Sequence, residues 1–168
     1  MWSNAGAVMM YGEFTAAGGA ANAYLARLEP TCQADVQDLG GGCIGGAGPL
    51  QLAATERAWI GATLRTSAST LPSGAFSIGL FGSSATSQPL SSLHPLGAPG
   101  CNLLVTADIS LSFDVASGTT SPEIFVPNAT ALVGAQVHHQ LLSIEVSATG
   151  NLTALASSNA LLLTIGAL

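Results

Sequence analysis

Apolar and polar residues alternate along much of the chain with the period of two that marks a half-buried strand. Leu142, Ile144 and Val146 alternate with Ser143, Glu145 and Ser147, and Ile109, Leu111, Phe113 and Val115 alternate with Ser110, Ser112 and Asp114. Ile60, Ala62 and Leu64 fall on one side, Thr63 and Arg65 on the other. Turn residues punctuate these runs at Pro72-Ser73-Gly74, Pro99-Gly100, Ser117-Gly118, Pro127-Asn128 and Gly150-Asn151. The spacing predicts short strands near 50–55, 58–67, 75–82, 101–106, 109–115, 120–126, 136–148, 151–156 and 159–167. A helical stripe over 51–66 is broken by Gly61 and followed by β-branched residues. Many short strands with regular turns give an all-β fold, an antiparallel β-sandwich of Ig-like or jelly-roll-like type.

Two other segments set the expected organisation. Residues 8–29, VMMYGEFTAAGGAANAYLARLE, read as a strand, a turn at Gly18 and Gly19, and a second strand. Such a hairpin is marginal in water by itself. Residues 40–48, GGGCIGGAG, read as a flexible join. The expected division is a hairpin over 1–30, a Gly-rich linker over 31–48 and a sandwich over 49–168.

A length of 168 residues is enough for one domain with a sizeable core. Charged residues make up only 7% of it, against roughly a quarter in an average domain. There is no lysine; Arg27, Arg57 and Arg65 face nine carboxylates, and the net charge is -6. No basic stripe for nucleic acid can be assembled from three arginines, and an anionic membrane surface is disfavoured for the same reason. Disorder needs low hydrophobicity and high charge, and this chain, 48% hydrophobic, has the reverse. A neutral surface of small hydroxyl residues over strands suits an extracellular module or an assembly subunit. No run approaches the roughly 18 apolar residues of a membrane helix, and the apolar ending 160–168 is too short. Residues 1–10 lack a basic leader region, so an export signal is expected upstream.

Chemistry-bearing residues are sparse. His138 and His139 are adjacent, and neighbours on a strand point to opposite faces, so they do not share one metal ion. His94 invites a triad with Asp108 or Asp114, without a GxSxG elbow to support it. Asp108, Asp114, Glu123 and Glu145 are the carboxylates available for a glycosidase pair, and Asp108 and Asp114 are alternatively loop ligands for calcium. The weak catalytic candidates are therefore Asp108, Asp114 and His94. Trp2, Tyr11, Tyr24 and Trp59 are too scattered for a sugar-stacking platform. The glycosylation-like triplets at Asn128 and Asn151 read as surface turns. No cofactor and no metal is expected. Cys32, Cys43 and Cys101 leave one thiol over within the chain, and no CxxC spacing points to zinc. Cys32–Cys43, a short clip across the join, is one pairing, and Cys32 is alternatively bonded to an upstream segment.

Residues 8–29 resemble the closing repeat of a bacterial β-propeller, whose repeats run roughly GG-F-T-x-AGG-x-x-A-N-x-x-AR. From Thr31 onward the chain resembles a C-terminal domain of secreted proteins from planctomycete-like and related environmental bacteria. The likeness rests on Gly42-Cys43; Leu96-Gly97-Ala98-Pro99-Gly100-Cys101-Asn102-Leu103; Val126-Pro127-Asn128; Leu132-Val133-Gly134; and Ser158-Asn159-Ala160-Leu161 leading to Ile165-Gly166. It covers nearly all of 40–168 and departs where some members have tryptophan-rich strand centres. The resemblance implies a β-sandwich appended to an extracellular protein, with no catalytic residues to carry over. It also implies a Cys43–Cys101 disulfide. The expected function is a secreted, non-enzymatic structural or adhesion module at the C-terminus of a larger protein. The alternatives are a carbohydrate-binding module and a small glycoside or ester hydrolase. Expected partners are another copy of the chain, joined through the open edge of the hairpin, or a polysaccharide.

Overall fold

A computed structural model describes residues 32–167 throughout, and before them the backbone of strands Trp2–Asn4, Ala7–Gly12, Ala16–Ala17, Ala20–Ala21 and Tyr24–Leu28. At the centre of the described region is a five-stranded antiparallel sheet. Its order is Ile109–Phe113, Phe76–Gly82, Gln136–Val146, Leu152–Thr164 and Asp35–Gly40. Three further strands, Glu123–Phe125, Thr63–Ser69 and Gln51–Ala54, pair in that order as a second sheet. Leu52, Leu64 and Ala68 from the smaller sheet pack with Leu141, Leu161 and Leu163 from the larger one, and this is the main core. The chain is an antiparallel β-sandwich with an N-terminal β-hairpin.

The larger sheet is covered on its other face as well. The hairpin Ala85–Pro89 and Asn102–Val105 brings Val105, Leu103 and Leu104 against Leu80, Ala160 and Leu142. Leu141 thus faces one layer and its neighbour Leu142 the other, as strand geometry requires. The Cys43–Cys101 disulfide, with a Cα separation of 5.1 Å, and the short helix Leu90–Leu93 close this third layer. Cys32 is the free cysteine.

The alternating runs at 109–113 and 142–146 are strands, as the pattern predicts, but 109–113 is not half-buried: as an edge strand of the larger sheet it leaves Ile109 and Leu111 exposed along with Ser110 and Ser112. At Ser117-Gly118 both residues have positive φ (51° and 77°), and Ala116 and Thr119 exchange backbone hydrogen bonds of 2.9 and 3.0 Å across them. That is a type I′ hairpin turn.

Four expectations change. In the segment read as a linker, 31–48, the described residues are structured: Asp35–Gly40 is an edge strand of the larger sheet on residues 160–164, and Ile44–Gly45 pairs with Gly48–Pro49. The strand expected from residue 58 begins at Thr63, because Gly61 turns the chain with φ 73°. Ala85–Pro89, with no apolar alternation, is a strand that the pattern does not predict. The last two expected strands are one, Leu152–Thr164, interrupted by a bulge. Gln140 pairs with Ala160 and Leu142 with Ser157, so Leu141 opposes both Ser158 and Asn159. The extra residue shifts the alternation and makes one strand read as two.

Ahead of this region, Ala7–Gly12 pairs with Tyr24–Leu28 and Ala16–Ala17 with Ala20–Ala21, and Trp2–Asn4 pairs with Ala7–Gly12. The expected turn at Gly18 and Gly19 lies outside the described residues.

Candidate functional site

The candidate catalytic groups do not converge. Asp108 and Asp114 flank the two ends of the Ile109–Phe113 strand. At roughly 3.3 Å per residue their backbones stand about 20 Å apart, too far for two carboxylates to share a glycosidic bond. His94 follows the helix Leu90–Leu93, and its Nδ1 accepts the Leu96 backbone N–H at 3.1 Å. Glu123 and Glu56 bind Arg65 at 2.9 and 2.8 Å. Glu145 accepts the Gly46 backbone N–H at 2.8 Å. His94 and Glu145 thus hold turns, and Glu56 and Glu123 brace a strand through Arg65. Among the described residues no group of three or more His, Cys, Asp or Glu side chains is placed to hold a metal ion.

The adjacent histidines part as strand geometry requires. His139 is fully buried and lies flat on Phe81, with ring centroids 4.1 Å apart and an interplanar angle of 8°. Its Nδ1 donates to the Leu80 carbonyl at 3.1 Å, which leaves Nε2 to accept from the Thr66 hydroxyl at 3.4 Å. Burial pushes its pKa down to about 4, against the opposing pull of the Leu80 carbonyl. At neutral pH it is an uncharged core residue joining the two sheets.

Polar residues that sequence reasoning passed over tie the layers together. Asn159, set in the bulge, accepts the Leu52 N–H at 2.7 Å and donates to the Leu52 carbonyl at 2.9 Å. It presents an amide to Leu52 as a neighbouring strand would, and so bridges the two sheets. Its Nδ2 also donates to Asp38 at 3.0 Å. Gln140 accepts the Leu104 N–H at 2.8 Å and donates to the Asn102 and Ser158 carbonyls at 3.0 and 2.8 Å. Ser157 donates to the Asn102 carbonyl at 3.0 Å. The available sequence signal is a polar triplet, Ser157-Ser158-Asn159, in a strand whose other residues are apolar except for Thr153 and Thr164 near its ends.

One end of the sandwich opens as an apolar cleft of about 270 Å³. Phe81, Val137 and Leu163 line it from the larger sheet, and Leu64, Ile124 and Phe125 from the smaller. Phe125 and Ile109, 63% and 58% exposed, also line it. Beside it lies a second hollow of about 190 Å³, bordered by Gly82, Ser83, Asp108 and Gln136. The Asp108 Oδ2 accepts from the Ser83 N–H and hydroxyl, both at 2.8 Å, and from Thr106 at 3.4 Å. The Ser83 bonds hold this exposed carboxyl below the usual carboxylate range. Apolar lining and a charged group thus lie side by side, the cleft supplying the first and the hollow, through Asp108, the second, a combination that small-molecule sites generally use.

No protein-family model, curated protein or solved structure matches the chain. Among the described residues no helix is long and apolar enough to cross a membrane.

Proposed function

We propose that the chain is a secreted, non-enzymatic structural or adhesion module of an extracellular protein. The observation behind this reading is how the buried polar side chains are used. Asn159, Gln140 and Ser157 bind main-chain groups of neighbouring layers, and Cys43–Cys101 fastens the same layers covalently. Disulfides persist in oxidising compartments, and a surface of uncharged hydroxyl residues suits exposure outside a cell. The resemblance to C-terminal domains of secreted bacterial proteins agrees with this role. The segment 8–29 is the proposed point of assembly with another copy.

The test treats the oxidised chain with a broad-specificity protease, with and without reductant. The same preparation is offered insoluble polysaccharides and chromogenic glycosides and esters. The expected result is a resistant fragment spanning 32–167 that disappears on reduction, with no polysaccharide retention and no turnover. Saturable retention on a polysaccharide would replace the reading with a carbohydrate-binding module. Turnover lost on Asp108→Ala, Asp114→Ala or His94→Ala would replace it with a hydrolase.

A further inference from the structure

The cleft and the neighbouring hollow share Phe81, Ile109 and Val137, so the two form one site with chemically different ends. The inner end passes between the sheets to Leu64, Leu163 and Ile165, all buried. An apolar cavity of about 150 Å³ takes up benzene, so the larger inner end has room for an aliphatic tail of about eight carbons. Water gains little there, because its walls offer few hydrogen-bond partners.

The outer end is different. Gly82 borders it, and its lack of a side chain lets the Thr106 carbonyl, next but one to Asp108, pack against the strand. Ser83, Gln136 and Asp108 border it. The three hydrogen bonds that Asp108 accepts among the described residues all fall on Oδ2, fixing the carboxylate while Oδ1 receives none of them. Arg57 and Arg65 are engaged elsewhere, with the Ala34 carbonyl and with Glu56 and Glu123. The chain as a whole carries a net charge of -6, which favours a cation and opposes an anion at this mouth.

We propose that this site binds a small cationic amphiphile, with its alkyl tail between the sheets and its ammonium head on Asp108. The ammonium–carboxylate contact is a charge-assisted hydrogen bond, stronger than one to a neutral head. The apolar end sets the length of the tail, and Asp108 sets the sign of the head. This ligand site is independent of the structural role proposed above.

Isothermal titration calorimetry on the intact chain tests it with octylammonium, octanol and octanoate, each below its micelle-forming concentration. Octylammonium is expected to bind about two- to fivefold more tightly than octanol, as an exposed ion pair allows, with octanoate the weakest. Asp108→Asn should bring octylammonium down to the affinity of octanol and leave octanol unchanged. Val137→Phe, which fills the neck shared by the two ends, should abolish binding of both. If its thermal unfolding shows that this variant does not fold, Ile109→Trp obstructs the same neck from an exposed position. The proposal is overturned if octanoate binds as well as octylammonium, if Asp108→Asn changes nothing, or if the folded chain binds none of the three.

Discussion

Between neutral pH and about pH 4, acidification bears on a buried ring, that of His139. His139 is enclosed between the sheets, with Phe81 on its face and Thr66 and the Leu80 carbonyl at its nitrogens; none of these neighbours titrates. Its pKa falls from an ordinary 6.5 to about 4, chiefly because burial disfavours the charged form. Between those values the unfolded chain takes up a proton that the folded chain refuses. The resulting stability is whole above pH 6.5 and is lost as the pH falls toward 4. At about 1.4 kcal/mol per pH unit, the window amounts to roughly 3 kcal/mol. Asp108, whose folded pKa is also lowered, acts only below the ordinary carboxylate value of 3.8, so its effect falls outside this window. The assay is urea unfolding in small pH steps from neutral to about pH 4, with the native chain beside His139→Gln. Glutamine can still donate to and accept from the same neighbours but does not titrate. The native curve should drop by about 3 kcal/mol relative to the variant. Parallel curves would refute the reasoning, because the lost stability would then come from groups other than His139.

Two further outcomes test the ties between layers. Asn159→Ala leaves the Leu52 N–H and carbonyl buried without partners, at about 1–3 kcal/mol each. Asn159→Asp should be worse, since it sets a carboxylate against Asp38 and the Leu52 carbonyl. Unfolding midpoints equal to the native one would show that the amide does not hold the sheets together. Reducing Cys43–Cys101 releases a loop of 58 residues, a loss of about 4 kcal/mol in chain entropy. Alkylation of the folded, unreduced protein should label Cys32 alone, and labelling of all three cysteines in an intact-mass measurement would contradict the bridge.

The sequence by itself determined the fold class. Ile109, Leu111 and Phe113, like Leu142, Ile144 and Val146, show the two-residue period because a strand sends alternate side chains to opposite faces. That signal is local, so one segment suffices to read it. The turn at Ser117-Gly118 is legible for the same reason, since the backbone there needs residues that tolerate positive φ. Asp35–Gly40 and Ala85–Pro89 lack alternation, and they are strands because backbone hydrogen bonds recruit them to a sheet edge and a hairpin. Main-chain bonding of that kind leaves no mark on side-chain order. The bulge at Ser158 and Asn159 is a relation between two strands, and in one strand alone it looks like a break. The cleft required the most distant relations. Phe81, Ile109, Phe125 and Val137 come from four strands, and alternation places each side chain on a face. Only the packing of the two sheets makes them surround one space and sets Asp108 beside it.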